Sequence, residues 1–254
     1  MVFRELINKR DERPVKDVPA HIIIILVIAF LCQIYWSSSK PLSTVNIKKL
    51  PEPPSQIESQ LFGLGDSIAI SKIFMLWLQA FDNQPGVSVP FKNLSYHRVI
   101  NWLERILALD PKGQYPLLAA GRIYGVVADD EKKRQMLAFI YEQFPKDPNR
   151  RWPSMAHAIY VAKHRLKDYP LALEFAHAVA QQVTANNIPS WVKQMEIYVL
   201  EDMGEIESAK ILIGGLLESG AITDDHELKF LQDRLDRLER ESDQYKEVGV
   251  EGQD

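Results

Sequence analysis

The stretch Phe62–Ser71, with the sequence FGLGDSIAIS, contains the residue types of a nucleophilic site. Ser67 follows Gly65 and Asp66, and a serine hydroxyl can attack a carbonyl carbon when a neighbouring base removes its proton. Such a site also needs hydrogen-bond donors for the oxyanion that forms. Ester hydrolysis is therefore one hypothesis, and the rest of the chain must supply the base and the donors.

Gly65-Asp66-Ser67 resembles the Gly-Asp-Ser segment of the GDSL-type hydrolases, which implies that Ser67 is a nucleophile. That family also has a buried strand before the serine, an oxyanion-hole glycine and asparagine downstream, and an Asp-x-x-His segment near the end. Here a polar segment precedes Phe62, and the closest late match, Asp224-Asp225-His226, has a different spacing. The same residues also suit a helix start, in which Asp66 or Ser67 accepts a hydrogen bond from a backbone N–H of the first turn. We predict the helix cap and keep a Ser67 hydrolase as the alternative.

Histidine and carboxylate residues show no metal-site pattern. His157 and His164 lie seven residues apart, whereas the His-Glu-x-x-His arrangement places two ligands one helical turn apart. The pairs Asp129-Asp130 and Asp224-Asp225 come where helices are predicted to begin, so we interpret them as caps. Gly63-x-Gly65 lacks the third glycine and the strand of a dinucleotide-binding fingerprint. We predict no enzyme activity, no cofactor and no metal.

The bulk composition is that of a folded, mildly acidic protein. The chain has 254 residues, of which 46% are hydrophobic and 25% charged, and its formal net charge is −4. It contains no long basic run, so its electrostatic attraction to a nucleic-acid backbone is weak. We therefore predict that it does not bind nucleic acid.

A run of uncharged, mostly apolar residues, AHIIIILVIAFLCQIYW, extends from Ala20 to Trp36. With Val18 and Pro19 it forms about 28 Å of helix, which is enough to cross a bilayer. Five basic residues precede the run, and only Lys40 follows within the first ten residues. This asymmetry predicts a bacterial-type inner-membrane anchor with a cytoplasmic N-terminus and a periplasmic C-terminal domain. A signal peptide cleaved near Ser37–Ser39 is the alternative.

Apolar residues after Gln60 follow a helical period without sustained two-residue alternation, which predicts an all-α domain. Prolines and glycines divide it into segments of about 13 to 17 residues. Equivalent apolar positions recur at intervals of 37, 36 and 37 residues, at Val99, Met136, Ala172 and Ala209. Four residues later the pattern repeats at Leu103, Ile140, Ala176 and Ile213. The predicted hairpins pair 66–82 with 96–109, 115–127 with 131–144, 152–166 with 169–183, and 190–203 with 206–219.

One predicted helix resembles the tetratricopeptide repeat (TPR) family. Leu117, Ala120, Gly121 and Tyr124 match the spacing of its first-helix signature, with Leu in place of the usual Trp and Ala in place of the usual Leu. The period here exceeds the 34 residues of that family. The resemblance implies a TPR-like α-solenoid of about four helical hairpins, in which neighbouring hairpins bury their apolar faces against each other.

Two sets of residues have predicted roles in this domain. Small and apolar residues at repeat positions are expected to pack neighbouring helices together: Leu117, Ala120, Gly121, Tyr124, Ala158, Ala172, Ala176 and Ala209. The TPR resemblance places five further residues on the concave face where such repeats hold peptides: Tyr115, Arg122, Trp152, Met155 and Lys163. Because aromatic and arginine side chains are good interface anchors, these five are the candidate partner-binding residues.

The predicted organisation has six parts. They are a cytoplasmic tail (1–17), a transmembrane anchor (18–36), a Pro-rich tether (37–60), the TPR-like repeats (61–222), a C-terminal capping helix (223–246) and a disordered tail (247–254). In the last helix, apolar residues at 3, 4 and 3 spacing favour a cap on the solenoid over a coiled-coil dimer; they are Leu228, Leu231, Leu235 and Leu238.

These features predict a membrane-anchored scaffold for protein–protein interaction, or an assembly or accessory subunit of a cell-envelope complex. The layout is similar to that of the periplasmic ancillary subunit of the bacterial Sec translocon and of repeat proteins of cytochrome c maturation. Two alternatives stay open: the Ser67 hydrolase, and a purely structural subunit whose anchor packs within a membrane complex.

Overall fold

The computed structural model describes residues 18–38, 48–84, 87–185, 187–220, 222 and 224–250, with side chains up to Glu241 in the last range. These residues are mostly helical, so the all-α prediction is confirmed. Two units are distinguished. The first contains helix α1, and the second, called the helical domain here, comprises 48–84 and the chain from Ser88 onward.

Helix α1, Ala20–Ser38, is 19 residues long and contains no charged side chain. Its length is about 28 Å, close to the thickness of a bilayer core, and none of its residues is buried in the protein. The helix begins two residues later and ends two residues later than the predicted anchor. It is therefore one helix that is long and apolar enough to span a membrane.

The C-terminal half of the predicted tether forms part of the helical domain. The Trp102 indole N–H donates to the Pro51 carbonyl oxygen at 2.8 Å, and Leu50 is almost fully buried. Arg98 donates to the Leu50 carbonyl and forms an ion pair with Glu52 at 3.0 Å. Residues 39–47 lie outside the described residues. Because donors on a later helix, Tyr96–Leu109, satisfy its carbonyl groups, the segment after residue 47 packs on the domain although it lacks apolar periodicity.

Helix α2 (Gln56–Phe62) follows this segment and begins with a capping box. The Ser55 hydroxyl accepts from the Glu58 N–H, and the Glu58 carboxylate accepts from the Ser55 N–H at 2.7 Å. Both bonds satisfy backbone groups that a helix start leaves free. The folded domain therefore starts before residue 61, the predicted boundary of the repeats.

Four pairs of helices make up most of the domain, as predicted. Within each pair the two helices pack against each other, and helices of successive pairs are also in contact. The pairs are α3 (Ser67–Ala80) with α4 (Tyr96–Leu109), α5 (Tyr115–Arg122) with α6 (Asp130–Gln143), α7 (Pro148–Val161) with α8 (Tyr169–Gln182), and α9 (Met195–Asp202) with α10 (Ile206–Glu218).

Shorter elements connect these helices. Two strands, Asn83–Gln84 and Val87–Ser88, pair in a two-stranded sheet between α3 and α4. Single turns of 3₁₀-helix lie at Phe91–Asn93, Tyr124–Val126, Phe144–Lys146 and Ser190–Val192, and a π-helical turn, Ala162–Leu166, extends α7.

The last helix, α11 (Asp225–Val250), packs along α10. Leu231 and Leu238 are buried in one cluster with Ile197 of α9 and Ile213 of α10, and Leu235 is partly buried against it. Arg234 adds a bidentate ion pair with Glu201 at the end of α9. The leucine stripe is therefore used within the chain, to cover the last helical pair.

The residues that recur at 36–37-residue intervals form the centre of the core. The first set has one residue in the second helix of each pair, and all four are fully buried: Val99, Met136, Ala172 and Ala209. The set four residues later is buried as well, with at most 1% of each side chain exposed: Leu103, Ile140, Ala176 and Ile213. All eight predicted packing residues are also buried.

Helices α5 and α7 approach each other closely at Gly121 of α5. A Cβ atom at this position would lie 2.9 Å from Cδ2 of His157 on α7, which is closer than Cβ contacts normally come. The His157 ring is partly buried and stacks on the Tyr160 ring at a separation of 6.1 Å. Glycine at this position therefore allows α5 and α7 to pack at their present distance.

Substitution of this glycine tests the close approach. We expect Gly121→Ala to lower the free energy of unfolding by about 1–3 kcal/mol, because the added methyl group must displace the His157 ring. Gly214→Ala is the matched control, since Gly214 lies inside α10 with open space where the Cβ would be. The control should be neutral or more stable by about 0.5–1 kcal/mol. Urea unfolding of the full chain in detergent, followed by circular dichroism, measures both, and equal stabilities would contradict the close approach.

Candidate protein-binding surface

The Gly-Asp-Ser segment forms a helix start. Asp66 is the N-cap of α3, and its carboxylate accepts a hydrogen bond from the Ala69 N–H at 2.9 Å. The segment before it is helix α2, where the hydrolase resemblance calls for a buried strand. The prediction of a cap at this position is confirmed.

One carboxylate of each predicted Asp-Asp pair is a helix cap as well. Asp129 accepts from the Lys132 N–H at 3.1 Å, and Asp224 accepts from the Glu227 N–H at 3.0 Å. Each bond occupies a free N–H of the first helical turn. Among the residues that the structure describes, no group of three histidine, cysteine or acidic side chains could hold a metal ion.

Three of the five candidate binding residues lie at the surface or partly at the surface of α5 and α7. Tyr115 begins α5 with half of its surface exposed, and its hydroxyl accepts from the Gln79 amide at 2.6 Å. Arg122 ends the same helix and is exposed. Trp152, in the first turns of α7, is partly exposed and packs edge-on against Trp191 at a ring separation of 5.7 Å.

The other two candidates are less accessible. Met155 is completely buried (0% exposed) and therefore belongs to the core. Lys163 forms an ion pair with Asp202 at the end of α9, and only 15% of its side chain is exposed. A partner therefore cannot contact Met155 in the folded domain, and it would have to replace the Asp202 ion pair to bind Lys163.

Two aromatic residues that the sequence analysis did not select complete this surface. Tyr160 of α7 is 47% exposed and lies between the rings of His157, at 6.1 Å, and His164, at 4.8 Å. Trp191 is exposed to a similar extent. Tyr160 stands two helical turns after Trp152, and this spacing is the signal that could have identified it.

We define the aromatic face as six exposed or partly exposed side chains of α5, α7 and the 3₁₀ turn Ser190–Val192. They are Tyr115, Leu118, Arg122, Trp152, Tyr160 and Trp191. Its helices are in direct contact, since the ring of His157 touches α5 at Gly121. Burial, with a further contribution from the Arg122 guanidinium, lowers the pKa of His157. The neutral form of His157 is therefore favoured, and Arg122 provides the charge next to it.

No family model, curated protein or solved structure matches this chain. Function is therefore inferred from the residues and contacts described above.

Two neighbouring substitutions distinguish a helix-capping role of the Gly-Asp-Ser segment from a hydrolase site. We expect Asp66→Ala to lower the free energy of unfolding by about 0.5–2 kcal/mol, because α3 loses its N-cap bond, whereas Ser67→Ala should leave stability nearly unchanged. Denaturation of the full chain measures both, and an ester-hydrolysis screen is run on the same samples. Ester turnover that disappears in Ser67→Ala while the fold persists would establish the hydrolase instead.

Proposed function

We propose that this chain is a single-pass membrane protein whose exported helical domain binds other proteins through the aromatic face, as a scaffold or as an assembly or accessory subunit of a cell-envelope complex. The observation that carries the proposal is the exposure of aromatic and arginine side chains on consecutive, tightly packed first helices. Tyr, Trp and Arg are the residue types that contribute most to protein–protein binding.

A repeat architecture provides the rigid support for such a face. The hairpins of the domain bury equivalent residues at 36–37-residue intervals, which supports a TPR-like α-solenoid of about four hairpins. In this architecture each hairpin contacts its neighbours, and α11 covers the apolar surface at the end. A solenoid holds side chains from successive first helices at fixed distances, as recognition of an extended partner requires.

The aromatic face differs from the set of five binding residues predicted from the sequence, because Met155 and Lys163 are left out and other exposed residues are added. Tyr115, Arg122 and Trp152 remain in it, because a partner can reach all three. Tyr160 and Trp191 join them. Since these rings are already packed against neighbours, little side-chain freedom is lost when a partner binds.

The position of the anchor gives the proposed topology. α1 is long and apolar enough to span a bilayer, and the basic residues are concentrated before it. The orientation rule for basic residues then puts the N-terminus in the cytoplasm and the helical domain in the periplasm of a bacterial-type inner membrane. We propose no catalysis, cofactor, metal or nucleic acid for this domain.

Site-specific photocrosslinking tests the binding face in native membranes. A photoreactive amino acid at Arg122 or Tyr160 should give a discrete crosslinked protein that mass spectrometry identifies. Ile211 of α10 is the matched control, because it is also exposed but lies outside the aromatic face. An Arg122→Glu substitution should reduce the crosslink from Tyr160 several-fold, since it reverses the charge next to His157 in the face.

Two results would contradict the proposal. Crosslinks from Ile211 that equal those from the aromatic face would mean that the contact is nonspecific. Replacement of Val18–Trp36 by an unrelated membrane anchor should preserve the crosslinks. Loss of assembly after this replacement would instead support a structural subunit whose anchor packs within a complex.

A further inference from the structure

The corner between α2 and α3 exposes several large apolar side chains of the helical domain. The two helices meet at 102° around Gly63-Leu64-Gly65. Leu64 at the tip is 96% exposed and has a positive φ of 47°, and Gly65 after it has a φ of 94°. Leu61 and Phe62 are also mostly exposed. This turn directs apolar side chains away from the domain.

Helix α3 continues the apolar surface along its outer side. Its inner side is in the core through Ile70, Met75 and Leu78. Its outer side has three large apolar residues, Ile68, Ile73 and Leu76, each at least half exposed, and a single charged residue, Lys72. A helix at the surface of a soluble domain normally has a polar outer side, whereas one that is apolar all around is surrounded by apolar material.

The segment between α1 and the helical domain is short enough to keep the domain within reach of the bilayer that α1 would span. α1 ends at Ser38, and the domain begins at Lys48, with Leu50 and Pro51 fixed on α4. The nine residues between these points span at most about 35 Å when fully extended. If α1 spans the membrane, Lys48 can therefore lie no more than about 35 Å from the end of α1, which leaves that same bilayer within reach of the first hairpin.

We propose that the α2–α3 corner, defined as Ile57, Leu61, Phe62, Leu64, Ile68 and Leu76, is a second membrane contact that inserts into the interface of the bilayer spanned by α1. The inference rests on α1 as a membrane anchor and is independent of partner binding at the aromatic face. Together α2 and α3 have the length and apolar composition of a bent membrane segment.

The contacts of α3 limit the corner to the interface. The Ser71 hydroxyl donates to the Ile106 carbonyl at 3.2 Å, and Leu78 is fully buried, so α3 stays attached to the domain. α2 and α3 measure about 10 and 21 Å, and each is too short to cross the roughly 30 Å hydrocarbon core. An interfacial segment of this kind enters by about 5–10 Å.

The few charged groups of the corner are compatible with this position. The Lys72 side chain can extend its ammonium group to the lipid headgroups while its methylene chain stays in apolar surroundings. Glu58 and Asp66 already accept hydrogen bonds from backbone N–H groups. Anchor and corner together would restrict rotation of the domain above the membrane.

Depth-sensitive fluorescence on the full chain in lipid vesicles tests this contact. The native thiol, Cys32 in α1, is first replaced in Cys32→Ala, and single cysteines are introduced as Leu64→Cys, Leu76→Cys and, as the exposed control on α10, Ile211→Cys. Each variant is labelled with an environment-sensitive dye in detergent and then reconstituted. Vesicles with and without lipids brominated in the acyl chain report whether the dye is near hydrocarbon. The natural sequence, labelled at Cys32, is the positive control for insertion of α1.

We expect blue-shifted emission and several-fold stronger bromolipid quenching at Leu64→Cys and Leu76→Cys than at Ile211→Cys. Water-like emission at both corner positions, with Cys32 quenched, would overturn the inference and leave the anchor in place. Blue-shifted emission that bromolipids do not quench, and whose shift grows with protein concentration, would mean that a second copy covers the corner. This result would also overturn the inference. An unquenched label at Cys32 would overturn the anchor together with the inference.

Discussion

Close packing of helices at small residues is the constraint on which the helical domain depends. Alanine is fully buried at Ala120 and Ala158 in first helices and at Ala172, Ala176 and Ala209 in second helices. At Gly121 even one methyl group would contact the His157 ring. Because interiors are packed as densely as crystals, side chains of this size set the distance between helices and therefore the position of every surface residue they carry.

Most of the fold could be predicted from the sequence because its signals are local. Helical periodicity, Asp caps and proline breaks determine where α3 to α10 begin and end, and the structure has helices close to the predicted ranges. The small α2 helix was missed since the preceding segment is rich in proline. Its Ser55-x-x-Glu58 capping box was nevertheless present as a readable signal.

The binding surface was harder to predict because exposure depends on contacts between hairpins. Met155 and Lys163 occupy positions that the TPR resemblance places on a binding face, yet one is enclosed in the core and the other is paired with Asp202. Tyr160 was missed although it stands two helical turns after Trp152, because this spacing does not show that the side chain stays exposed. A single sequence gives the period of a helix but not the crossing angle that decides which side of it another helix covers.

The apolar surfaces of this chain fall into three groups with different surroundings. The core residues are covered by other helices, α1 is apolar on all sides, and the α2–α3 corner is apolar toward the outside. The first group stabilises the domain, and we assign the other two to the membrane. The aromatic face differs from all three because its rings alternate with an arginine and are only partly exposed, as is typical of surfaces that bind proteins.

The most direct measurement of the central claim is the side of the membrane on which the helical domain lies. A reporter enzyme that is active only outside the cytoplasm is fused after Asp254, and a reporter active only in the cytoplasm is fused at the same place as its counterpart. Our account predicts activity of the first and silence of the second in intact cells. The reverse result would contradict a membrane-anchored, exported binding domain.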